Sequence, residues 1–178
     1  MDQMTLLKRQ NRMVAKLLWV ATVLAFLNNL LGVRDIKAGI LIVVFCGGSA
    51  LLVSYLAYTS KMISQTKYFA IASCYITVFI FIAFTPGMLS YFTIYISLFL
   101  LGIYQDQQVT AISVVISLAI STYAFLFHKE MIFHPRYYET ISVLAINFFI
   151  VLSGCLLVLQ GEFGTKVHRE IEKEKKEI

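Results

Sequence analysis

The residues of this 178-residue sequence best suited to chemistry are carboxamides and phenols set in apolar surroundings: Asn28, Asn29, Tyr91, Tyr95, Tyr123 and Asn147. Such groups donate and accept hydrogen bonds without exchanging protons near neutral pH, so they suit recognition of a small ligand rather than catalysis. His128, Glu130 and His134 are metal-ligating types, but three of them in one loop do not make a closed four-coordinate site, and no metal is expected. Cys46, Cys74 and Cys155 share no metal-type spacing and read as reduced, small apolar residues. Ser113, Ser117 and Ser121 recur every fourth residue on one helical stripe, and Gly47, Ala50 and Ser54 do much the same. Small residues at that spacing let helix backbones approach closely, and a serine hydroxyl can return to its own helix's carbonyl without a ligand.

The elements that must position these groups are six nearly uncharged apolar runs, at 14–33, 38–58, 68–85, 88–104, 109–127 and 140–160. An α-helix needs about 17 to 25 residues to cross about 30 Å of hydrocarbon. Backbone in lipid must satisfy its own N–H and C=O groups, so each run is expected to be a helix. Composition agrees: 59% of residues are hydrophobic, 14% are charged, and mean hydropathy is +0.78. The expected fold is all-α, a polytopic membrane protein built as an antiparallel bundle of six transmembrane helices over residues 1–160. A short charged cytoplasmic helix over 161–178 follows. The connections near 34–37, at Pro86–Gly87 and at Gln105–Gln108 are too short for anything but antiparallel neighbours.

Basic residues orient the bundle. Lys8, Arg9, Arg12, Lys16, Lys61, Lys67, Lys166, Arg169, Lys173, Lys175 and Lys176 fall on one side, against Arg34, Lys37, Lys129 and Arg136 on the other. The positive-inside rule places the larger group, and with it both termini, in the cytoplasm of a multi-pass cell-membrane protein. The net charge of +5 therefore reflects topology and not nucleic-acid binding. In this orientation Asn28, Asn29, Tyr91, Tyr95, Tyr123 and Asn147 all lie toward the outer face, beneath the loop 128–139. They suit either a small outward pocket for a small-molecule ligand or an interfacial aromatic belt with interhelical amide bonds.

Several function classes are excluded by what the runs lack. No Asp, Glu, Arg or His lies at mid-membrane depth, and Lys16 can snorkel to the inner edge. Proton pumps, ion-coupled exchangers and voltage sensors need such groups. A bis-histidine haem needs histidines within the runs, but His128, His134 and His168 lie in a loop or the tail, so no cofactor is expected. No nucleophile–base or carboxylate pair can be assembled there either, and the chain is not expected to be an enzyme. The tail offers more: Val167, Ile171, Glu174 and Ile178 follow coiled-coil spacing, and Glu170–Lys173 and Glu172–Lys176 are helix-supporting pairs. Either a solvated basic tail or the start of a signalling helix, pairing two chains into a homodimer, fits that pattern.

The opening Lys8-Arg9-Gln10-Asn11-Arg12-Met13-Val14, then Leu17-Leu18-Trp19, Asn28 and Gly32, resembles the start of certain bacterial methyl-accepting chemotaxis receptors. In those receptors a six-span N-terminal membrane domain with short loops replaces the extracytoplasmic sensor, and the charged helix after Gln160 is similar to their lead into the cytoplasmic hairpin. The resemblance covers the layout of the whole chain and the motif of about 20 residues. Their methylated, kinase-coupling hairpin has no counterpart in these residues, so the resemblance implies the membrane domain alone. It implies a sensory or signal-transducing membrane domain that passes a ligand signal or a membrane state to a cytoplasmic helix. The substrate-binding membrane subunit of a vitamin transporter, also six helices in a similar length, is the alternative. In that case a long face of small residues for docking a partner is expected, where the first run has only Ala21 and Ala25. A structural membrane protein without a ligand is the third possibility.

Overall fold

The computed structural model describes residues 3–30, 36–59, 62–132 and 143–177. The side chains of Gln3, Asn28, Thr165 and residues 167–177 lie outside what is described, as do residues 133–142, which include His134 and Arg136. Among the described residues the chain is all-helical, without strands. Helix α1 spans Gln3–Asn28, α2 Ile36–Thr59, α3 Ile63–Phe84, α4 Met88–Leu101, α5 Gln107–Ile132 and α6 Val143–Glu177. Among the described residues four helical stretches are long and apolar enough to cross a membrane: α2, α3, α5 and the Val143–Gly164 part of α6.

Within the described residues the other two expected spans do not reach that combination of length and apolarity, for different reasons. Helix α1 is long enough, but Arg12 and Lys16 and a polar first turn dilute its apolar half. Helix α4 with its closing 3-10 turn, Gly102–Tyr104, is apolar but only 17 residues, about 25 Å at 1.5 Å per residue. Two boundaries have local causes. The backbone of α5 leaves helical geometry at His128 (φ −132°, ψ 15°), one residue beyond the apolar run ending at Phe127. Gln105 adopts φ 50° and turns the chain after α4, and Asp106 then caps α5, its Oδ1 accepting the backbone N–H groups of Gln108 at 2.8 Å and Val109 at 3.3 Å.

Consecutive helices from α2 to α6 pack side by side, while α1 lies across α2 and α3. Helix α3 is the centre, touching α1, α2, α4 and α5, and it buries Ala70, Ile71, Cys74, Tyr75, Val78 and Ile82. Helix α6 is peripheral: 17% of its membrane-length window is buried, against 39% in α3 and α5. Its contacts are nevertheless close. A Cβ on Gly154 would fall 2.3 Å from Val114 Cγ2 of α5, and one on Gly102 would fall 2.7 Å from Leu157 Cδ2 of α6. Gly47, expected to be a close-approach residue, is not one; it sits in a π-helical turn, Ile42–Gly47, with nothing within 4 Å of its Cβ direction. Ala50 of that stripe is fully buried, and Ser54 accepts the Trp19 indole N–H at 3.1 Å.

Polar ties join the start of α1 to the ends of its neighbours, and α3 to the residue before α5. The Gln10 amide donates to the carbonyls of Ile103 and Tyr104, both at 3.1 Å, satisfying acceptors that the end of α4 leaves open. Asn11, 1% exposed, donates to the Ile63 carbonyl at the start of α3. The Arg12 guanidinium stacks 5.4 Å over the Tyr58 ring at the end of α2, and Lys67 forms an ion pair with Asp106.

Candidate functional site

A cavity of about 800 Å³ opens between α1, α2, α3 and α4 at the end of the bundle away from the chain termini. The π turn of α2 contributes Ile42 and Cys46, α3 contributes Cys74, Val78 and Phe81, and the Pro86–Gly87 connection forms part of the rim. A π turn adds one residue to a turn, so it rotates the following side chains away from their α-helical register and widens the local groove. The remaining wall is apolar side chain, hydroxyl and the Asn29 carboxamide.

Of the six sequence-derived site residues, the five whose side chains are described are not brought into one pocket. Asn29 lines the cavity, and the Asn28 side chain lies outside the described residues. Tyr91 and Tyr95 meet edge to face, with ring centroids 6.1 Å apart. Tyr91 shares a 2.9 Å hydrogen bond with Ser121 of α5 and is buried, and it is not among the residues lining the cavity. Tyr123 packs against Phe79, Phe127 and His128, with centroids 5.0 to 5.6 Å away. Asn147 donates to Thr122 Oγ1 at 3.1 Å, joining α6 to α5. Expected depth is what these residues share. Helix rotation and neighbour identity send groups of equal depth to different interfaces.

The serine stripe also differs from expectation. Ser113, Ser117 and Ser121 are buried, but the hydroxyls of Ser117 and Ser121 reach across to other helices. Ser117 shares a 2.7 Å bond with the Tyr75 phenol of α3, as Ser121 does with Tyr91 of α4. A phenol in apolar surroundings carries a large cost if its O–H finds no partner, and a small residue opposite both admits the ring and supplies the oxygen. Sequence reasoning missed Tyr75 as the partner; it falls in the third run with no local mark distinguishing it from a lipid-facing tyrosine.

The Lys67–Asp106 pair was missed as well. Partial burial pushes the Asp106 carboxyl up, but the hydrogen bond from Lys67, the N–H of Val109, the lysine charge and the N–H of Gln108 together outweigh it, so the group lies below the ordinary carboxylate range. The signal was available in sequence, since an Asp directly before an apolar-periodic run is an N-cap. Among the described residues no cluster of His, Cys, Asp or Glu is arranged to hold a metal ion, and the three cysteines are free thiols. The chain matches no protein-family model, no curated protein and no solved structure. The membrane character therefore rests on the four apolar helices, and the site on its geometry.

Proposed function

We propose that the chain is the membrane domain of a bacterial sensory receptor, receiving a small-molecule or membrane signal in its helical bundle and transmitting it through α6. The observation that carries this reading is the continuity of α6. At 1.5 Å per residue its 35 residues span about 52 Å, and the part beyond Gly164 projects about 20 Å past the membrane-length stretch. A continuous helix is stiff, so a shift at Gly154 or Leu157, where α6 meets α5 and the end of α4, displaces its far end too. The reading includes six spans. Helix α1 has the length, with Arg12 and Lys16 at its inner side, and the short Met88–Tyr104 stretch is accommodated by local thinning of the bilayer. It places both termini in the cytoplasm, from the distribution of Lys and Arg, and pairs two copies through the sparsely covered α6.

The cavity favours a second reading, the substrate-binding subunit of a vitamin transporter, since about 800 Å³ is enough for a small metabolite. Against it, Ala21 and Ala25 of α1 line that cavity and are not arrayed outward for docking. Single cysteines at Val167, Ile171 and Arg169 in an otherwise cysteine-free full chain separate the two readings. Oxidation in native membranes is expected to give strong disulfide dimers at 167 and 171 and weak ones at 169. Equal cross-linking at all three positions, or none at any, removes the sensory reading; co-purification of an ATPase subunit with the uncross-linked chain supports the transporter reading.

A further inference from the structure

The cavity wall has a hydrogen-bonding polarity that its composition does not reveal. Seven hydroxyls line it, and six of them, Thr22, Ser49, Thr77, Thr85, Ser90 and Thr93, donate their protons to backbone carbonyls. The first four do so at 2.8 to 2.9 Å, with the acceptors Leu18, Cys46, Ser73 and Phe81 on the same helix. A hydroxyl committed in this way has no proton left for a ligand but keeps lone pairs that accept. None of the described lining residues is Asp, Glu, Lys, Arg or His. A charged molecule entering would lose its hydration with no countercharge from these side chains to replace it. The π turn that contributes Ile42 and Cys46 is an independent mark, since π turns inside helices concentrate at functional sites.

We infer that this cavity binds an uncharged, mainly apolar molecule through that molecule's own hydroxyl or N–H donors, the six committed hydroxyls supplying acceptors beside the Asn29 carboxamide. The inference rests on the sensory reading and names the class of molecule that the bundle receives. Such a molecule partitions into the bilayer that surrounds α1 to α4 and concentrates there. Apolar contact with Val78, Phe81 and Ile96 supplies most of the affinity, and the row of acceptors selects alcohols and amides over ethers and hydrocarbons of the same size.

Photolabelling of the full chain in phosphatidylcholine nanodiscs tests this, using a diazirine-bearing long-chain alcohol, its methyl ether and the matching carboxylate. The alcohol is expected to label cavity residues about fivefold more than the ether, the discrimination expected of one hydrogen bond, with the carboxylate weaker than both. Thr77→Val and Thr93→Val keep shape and remove an acceptor, so they are expected to lower the alcohol-to-ether ratio toward one without changing the melting temperature. Equal labelling by alcohol and ether, or preference for the carboxylate, overturns the inference and leaves the sensory reading standing. Failure of every probe to label the cavity overturns the ligand site itself, while cross-linking at Val167 and Ile171 tests the transmitting helix separately.

Discussion

Gly154→Ala adds one methyl group where α6 touches α5, and its consequence follows from the contact itself. The new Cβ would sit 2.3 Å from Val114 Cγ2, where ordinary contact begins at 3.4 Å, so about 1 Å of separation has to be found. Val114 cannot supply it by swinging away, because a β-branched side chain in a helix holds essentially one χ1 rotamer. The helices must part, and helices in lipid associate through this kind of close packing. Overpacking of this kind costs about 1–3 kcal/mol, enough to lower an apparent melting temperature by several degrees in a chain of this size. Gly102→Ala is the control. Its added Cβ meets the flexible tip of Leu157, which can rotate, so the loss is expected to be smaller. Val114→Ala clears the space, and the Val114→Ala/Gly154→Ala double variant is expected to regain most of what Gly154→Ala loses. Thermal unfolding in detergent, followed by circular dichroism, supplies the cycle. If Gly154→Ala melts with the wild type, or loses as much in the Val114→Ala background, the tight α5–α6 contact is refuted.

The Lys67–Asp106 pair predicts an acid limb. The folded-state value of Asp106 is depressed, so its contribution is complete above the ordinary carboxylate range near pH 4 and is lost as pH falls through the folded value. Melting temperature is expected to fall on acidification toward pH 3, and Asp106→Ala, which removes the α5 cap at a cost of about 1 kcal/mol, is expected to flatten that fall; an unchanged pH profile in the variant would assign the limb elsewhere. For topology, reporter fusions after Ile178 and Arg136 are expected to report cytoplasm and exterior respectively. External activity at Ile178 would reverse the orientation.

The sequence by itself determined that this chain is helical and that most of its helices are apolar across membrane length. The reason is local: in lipid each run must close its own backbone hydrogen bonds, so composition along one dimension specifies the element. Asp106, directly before an apolar-periodic run, is also a legible cap for α5, whereas the apolar run's end at Phe127 is not the helix end, since α5 continues through His128 to Ile132. The site was not legible in this way. Depth along a helix can be counted from sequence, but rotation about the helix axis and the choice of neighbour are set by how all the helices pack. Thus Tyr91 and Asn29, at similar expected depth, face different interfaces, and the Ser117 and Ser121 hydroxyls leave their own helix for Tyr75 and Tyr91. The π turn at Ile42–Gly47 and the cavity it helps wall belong to the tertiary structure for the same reason. No residue pattern in that run distinguishes a π turn from an α turn, and only the packing of α2 against α1 and α3 decides which one forms.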